Sequence, residues 1–118
     1  MRENRGKPRV KTDRAAATRR DWLQAIEQFR FDPEHPASEA VWSPRLECCS
    51  RDELLAIQER KLAALVPFLY ENSAFYRRRF GLLGLIPSDI RSVEDLQRKW
   101  PVVTKDEMAQ DVSAAPPY

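Results

Sequence analysis

Apolar positions in this 118-residue chain recur at helical rather than strand spacing. Trp22, Leu23, Ile26 and Phe29 follow a 3.6-residue period, which predicts a short amphipathic helix from about Thr18 to Phe31. The best-defined pattern starts at Ser50. Ser50-Arg51-Asp52-Glu53 is a capping box, in which the Ser hydroxyl accepts the N–H of Glu53 and the Glu carboxylate accepts that of Ser50. Leu54, Ile57, Leu62, Leu65 and Leu69 then form one stripe, widened by Leu55, Val66 and Tyr70. Pro67 removes a backbone donor inside that stripe, so a kink or break is predicted near residues 63–67.

Further capped starts lie downstream. Asn72 and Ser73 precede Phe75, Tyr76 and Phe80, with Gly81 or Gly84 available to end that helix in the left-handed region. Leu82–Ile86 is a short apolar stretch closed by Pro87. Ser92 opens a helix to about Lys99, and Trp100-Pro101-Val102-Val103 is predicted to be extended. Thr104-Lys105-Asp106-Glu107 is a second capping box, leading toward Val112. Residues 32–45 read as a linker because Pro33, Pro36 and Pro44 oppose regular helix, and Trp42 within it is large enough to dock on something. The fold class is therefore mainly α: short amphipathic helices joined by Pro-containing linkers. Residues 1–20 form an arm, 21–112 a helical segment, and 113–118 a tail read as truncated.

Composition narrows the function classes. Hydrophobic residues make 42% of the chain and charged residues 32%, which allows a core but a modest one. No apolar run approaches the roughly 20 residues a membrane span needs. The only cysteines are the neighbours Cys48 and Cys49, read as two reduced thiols near a helix start, since a disulfide between them would close a small strained ring. His35, the single histidine, stands between Glu34 and Pro36 with no recognisable nucleophile or metal partner. Three glycines leave no phosphate-cradling loop. The acidic pairs Asp52/Glu53, Glu94/Asp95 and Asp106/Glu107 all sit in first turns, where capping explains them without acid–base chemistry. Lys105 occupies a first turn as well. Arg77-Arg78-Arg79 cannot make one anion clamp, because consecutive helical residues diverge by about 100°. They are expected to be solvated, one of them pairing with Glu71 or Asp89.

Charge is uneven. Residues 1–20 hold eight Lys/Arg against Glu3 and Asp13, whereas the remainder is net acidic, for +2 overall. The arm carries no aromatic residue for base stacking, so it is read as disordered and solvated and nucleic acid is not an expected partner. Glu3, Gly6, Pro8 and Asp13 interrupt a mitochondrial-type amphipathic helix, and no apolar stretch suits a secretory signal. A cytoplasmic protein is expected.

Four blocks carry a family resemblance. They are Trp42-Ser43-Pro44-Arg45-Leu46-Glu47 with Ser50-Arg51-Asp52-Glu53-Leu54, then Tyr70-Glu71-Asn72-Ser73-Ala74-Phe75-Tyr76-Arg77. Asp89-Ile90-Arg91-Ser92-Val93-Glu94-Asp95-Leu96 and Pro101-Val102-Val103-Thr104-Lys105-Asp106-Glu107-Met108 complete the set. In this order and spacing, residues 41–112 resemble the N-terminal segment of the phenylacetate–CoA ligases, a family of adenylate-forming enzymes. The resemblance implies a helical segment packed on a larger α/β body. That body activates an aryl carboxylate with ATP to an acyl-adenylate and then makes the acyl-CoA. ATP, Mg and coenzyme A are implied for the full-length family, none bound by this chain alone. The family's ATP loop, later acidic residues and lid lysine have no counterpart here, so no catalytic, cofactor or metal residue is carried over and activity from this chain alone is not expected. Ala74 stands where the family commonly has proline, and Pro67 where it continues a helix.

The apolar stripe exceeds what a segment of this size easily buries. Trp42, Leu54, Leu62, Leu65, Leu69, Phe75, Tyr76 and Trp100 are therefore the interface candidates. The expected partner is the remainder of a ligase body or another protein chain, and a homodimer would bury the same face. The alternative function is a non-catalytic helical protein-binding module with a basic N-terminal arm.

Overall fold

The computed structural model describes residues 9–30, 41 and 43–115, with side chains from Asp13 onward. The architecture is helical, as the periodicity requires: α1 (Arg9–Gln28), α2 (Pro44–Glu47), α3 (Arg51–Asn72), α4 (Ala74–Leu83), α5 (Val93–Lys99) and α6 (Lys105–Ala114), with a 3₁₀ turn at Pro87–Asp89.

The capping signals translate directly into helix starts. Glu53 N–H donates to Ser50 Oγ at 3.1 Å, and Ser50 N–H donates to Glu53 Oε2 at 2.9 Å. Thr104 and Glu107 repeat the exchange at 2.7 and 3.2 Å. Ser92 accepts from Asp95 N–H at 3.0 Å. Ser73 ends α3 and caps α4 at once. Each such cap contributes about 1 kcal/mol. Of the two candidate glycines, Gly84 takes the left-handed conformation at φ 66°. Leu85 N–H then reaches back to Phe80 O at 3.0 Å, closing a Schellman turn.

Four boundaries differ from the sequence expectation. Helix α1 begins at Arg9, inside the segment read as a disordered arm, and stops at Gln28. No glycine or proline occurs between Pro8 and residue 33, and Arg, Lys and Ala are strong helix formers, so nothing interrupts propagation. Pro44 does not extend the linker but opens α2 at the first helical position, where a missing N–H costs nothing. Of the kink or break expected at Pro67, the break does not occur, and α3 runs 22 residues through it. The lost bond is outweighed by side-chain packing on both sides of that turn. Helix α6 continues to Ala114, past Val112. The rest of the 32–45 linker, His35, and the ends 1–8 and 116–118 lie outside the described residues.

Two packing units share α3. Helix α1 lies antiparallel to it, fixed at three levels. Lys61 Nζ donates to Phe29 O at 3.2 Å, Trp22 stacks on Phe68 with ring centroids 6.3 Å apart, and Asn72 Nδ2 donates to Thr18 Oγ1 and Ala15 O at 3.1 and 3.2 Å. On another side of α3, Leu62 and Val66 meet Phe80 and Ile90 in a small core, flanked by Tyr70, Leu85, Leu96 and Trp100. The radius of gyration is 18.5 Å, against about 13.5 Å for a compact chain of this length. Its accessible surface of 9519 Å² likewise exceeds the roughly 6,600 Å² of a compact monomer of this mass. Leu54, Leu55, Leu82, Ile86 and Val102 are among the large apolar side chains left exposed.

Candidate interface groove

Helices α3 and α4, the 3₁₀ turn and α5 enclose a groove of about 190 Å³. Its walls are apolar and aromatic, made by Leu62, Leu65, Val66 and Leu69 of α3, Tyr76 and Phe80 of α4, and Ile90, Leu96 and Trp100. The spacing along α3 puts its four residues on one face, since positions three and four apart are neighbours on a helix. Phe80 lies one turn after Tyr76 for the same reason. Trp100 arrives from the C-terminus of α5, where Pro101 forces the chain out of the helix. It packs against Phe80 with centroids 4.6 Å apart and an interplanar angle of 61°, and Tyr70 meets Phe80 edge-on at 5.4 Å. Such pairs add about 0.5–1.5 kcal/mol each beyond burial.

The interface candidates from sequence separate into distinct environments. Leu65, Leu69, Tyr76 and Trp100 are half-buried and line the groove. Leu62, at 8% exposure, forms its floor. Phe75, at 4%, faces the α4–α6 contact instead, its ring 5.1 Å from that of Tyr76. Leu54 is 42% exposed and lies apart, beside Leu55 in a second shallow groove between α3 and α5. Trp42 lies outside the described residues. Sequence reasoning missed Phe80 and Ile90 as core residues. Phe80 could have been found from its one-turn spacing to Tyr76, whereas Ile90, between two charged residues in a non-helical turn, has no periodic signal.

The three consecutive arginines correct the expectation of solvated side chains. Arg77 pairs with Glu71 at 3.1 Å, lies over the Tyr70 ring at 5.1 Å, and donates through Nε to Tyr70 O at 3.0 Å. Arg78 binds Asp111 through both Nε and Nη2, and Arg79 binds Glu107 at 3.0 Å. Their divergence around α4 sends one toward the end of α3 and two to α6. The Glu71 partner is the one the sequence suggested. The α6 partners are about 30 residues away and carry no local signal.

These bonds also set the acidities. The Thr104 backbone N–H, and after it the Arg79 side chain, hold the Glu107 carboxyl below its ordinary value. Hydrogen bonding to Arg78 does the same for Asp111. Asp95 is lowered mainly by the Arg91 backbone N–H, with Lys99 contributing. All three stay ionised at neutral pH and act structurally.

The groove does not fit a nucleotide. Its walls carry no cation or anion, and among the described residues no cluster of three or more His, Cys, Asp or Glu side chains stands ready for a metal ion. An apolar, aromatic-lined groove can bury a complementary apolar surface. Among the described residues no helix is long and apolar enough to cross a membrane.

Comparison with known proteins finds the same family that the sequence blocks suggested. The chain is 41% identical over 58 residues to the phenylacetate–coenzyme A ligase of Thermus thermophilus. It is 41% identical over 63 residues to that of Escherichia coli, and 38% identical over 63 residues to that of Aromatoleum evansii. The matches cover 49–53% of this chain but only 13–14% of the length of these relatives. No family model matches, and no solved structure matches.

Proposed function

We propose that this chain is the N-terminal helical segment of a phenylacetate–CoA ligase-like enzyme, a scaffold element rather than the site of chemistry. The whole enzyme would activate an aryl carboxylate with ATP and pass the acyl group to coenzyme A. The 38–41% identity to three such ligases carries this reading. Its physical counterpart is the apolar surface left uncovered, the exposed Leu54 and Leu55 together with the groove walls Leu65, Leu69, Tyr76 and Trp100, which the ligase body would cover. Completing the burial of each half-buried side chain yields about 1 kcal/mol, roughly half of what full burial of an exposed one gives, so the contact would stabilise both sides.

The test is a chimera. The matching segment of about 63 residues in the E. coli ligase is replaced by the corresponding residues of this chain, and phenylacetate-dependent pyrophosphate release is measured. The expected result is a soluble chimera within about tenfold of the parent, a barrier change near 1.4 kcal/mol, with no release from the 118-residue chain alone. An insoluble or inactive chimera would contradict the reading, as would turnover by the isolated chain.

The exposed Leu54 and Leu55 also suit the second reading, a non-catalytic helical module that binds another protein. That reading expects the chimera to fail while the isolated chain still binds a partner through α3.

A further inference from the structure

The loop between α2 and α3 holds the adjacent thiols Cys48 and Cys49, both free, Cys48 exposed and Cys49 half-buried. Neither takes part in the groove. Cys48 sits at φ −109° and ψ 9°, where the chain turns. Side chains of consecutive residues in near-helical geometry diverge by about 100°, whereas those in a strand point to opposite faces. The turn at Cys48 therefore does not force the two side chains to opposite faces, as a strand would. The Cys49 thiol donates to Leu46 O at 3.1 Å, which fixes its sulfur at the edge of a pocket between α2 and α3. That pocket has a volume of about 330 Å³ and includes Arg45, Leu46, Cys49, Ala56 and Ile57.

Adjacency decides what two such thiols do. Neighbouring Cα atoms lie about 3.8 Å apart, short of the roughly 4.4–6.8 Å that disulfides span, so direct S–S bonding is disfavoured. A third atom placed between the sulfurs relaxes that constraint. Zinc would need four ligands, and among the described residues no third or fourth metal-binding side chain joins the pair. A soft, three-coordinate centre needs only the two sulfurs plus a substituent of its own.

We propose that Cys48 and Cys49 form a two-thiol chelating site for monosubstituted trivalent arsenicals, with the α2–α3 pocket taking an aryl group on arsenic. With phenylarsine oxide, two As–S bonds form and the As–O bonding breaks. The oxygen leaves as water with the two thiol protons, and arsenic stays trivalent, so no oxidant or reductant is needed.

The experiment titrates the full reduced chain with phenylarsine oxide and follows intact mass under increasing 2-mercaptoethanol. One adduct per chain is expected, resistant to the monothiol and removed by 2,3-dimercaptopropanol. Cys48→Ser and Cys49→Ser should each release arsenic at about hundredfold lower monothiol, because the second As–S bond is no longer intramolecular. Ala56 is exposed, so Ala56→Trp fills the pocket without entering the core. It should weaken phenylarsine oxide about tenfold while leaving arsenite unchanged, since one well-placed apolar group is worth about that factor. Circular dichroism checks that each variant keeps its helices. A wild-type adduct as labile to monothiol as the single-Ser adducts would overturn the chelate. Equal phenylarsine oxide binding by Ala56→Trp would overturn the pocket's role. Ready formation of an intramolecular disulfide with a small organic disulfide, in place of arsenical uptake, would overturn the assignment as a whole.

Discussion

The two halves of α3 carry leucines at the same helical spacing and meet different fates. From Leu62 onward the stripe is partly covered: Leu62 and Val66 are 8% and 6% exposed and rest on Phe80 and Ile90, while Leu65 and Leu69 are half-buried in the groove wall. Before it, Leu54 and Leu55 are 42% and 43% exposed. Composition does not separate the halves. The difference lies in the downstream chain, because Gly84 turns α4 back so that Phe80 and Trp100 reach only the second half. An amphipathic pattern reports that a face needs covering, and topology decides whether the chain supplies the cover itself.

The sharpest way to break the contrast is to remove the cover. Phe80→Ala should cost about 3–5 kcal/mol, since the ring is 2% exposed and touches both Tyr70 and Trp100. A thermal or denaturant midpoint measured by circular dichroism reads it directly. A loss below about 1 kcal/mol would mean that the small core does not hold α4 and α5 on α3.

Acid should separate helix α6 from the α1–α3 pair, in the order their bonding dictates. The ordinary values for Glu107 and Asp111 are 4.5 and 3.8, and both groups titrate lower when folded. Their contribution is therefore complete above those values and is lost as pH falls through and below about 4. Helix α6, held by Arg78 and Arg79, should loosen first. The α1–α3 pair should persist, because Trp22–Phe68 stacking and the Asn72 amide bonds do not titrate. Backbone NMR from about pH 7 to 3 distinguishes this from simultaneous loss of α6 and the α1–α3 pair. Leu54→Ser, the smallest effect, should change the stability of the isolated chain by no more than about 0.5 kcal/mol. A larger loss would mean that Leu54 is already covered.

Local chemistry was legible. The hydroxyl caps at Ser50, Ser73, Ser92 and Thr104, the helix end near Gly84 and the stripe on α3 follow from residue type and spacing alone. Features that depend on distant partners were not. The continuity of α3 through Pro67 is compatible with its packing against α1 and α4, and the pairing of Arg78 and Arg79 comes from α6. The role of Ile90 comes from a turn without periodicity. The groove shows the same division: four of its walls stood in the stripe, whereas Phe80 and Ile90 became visible only once α4 and α5 were in place.

Amide hydrogen exchange along α3 tests most directly whether this segment is built to be completed by a ligase body. In the isolated chain, amides around Leu62–Leu69 should exchange at least about tenfold more slowly than those of Glu53–Gln58, a gap of about 1.4 kcal/mol in local opening. In the active chimera, the first half should gain protection to match the second. Equal protection of both halves in the isolated chain, or an unprotected first half in the chimera, would contradict a face left open for the rest of such an enzyme.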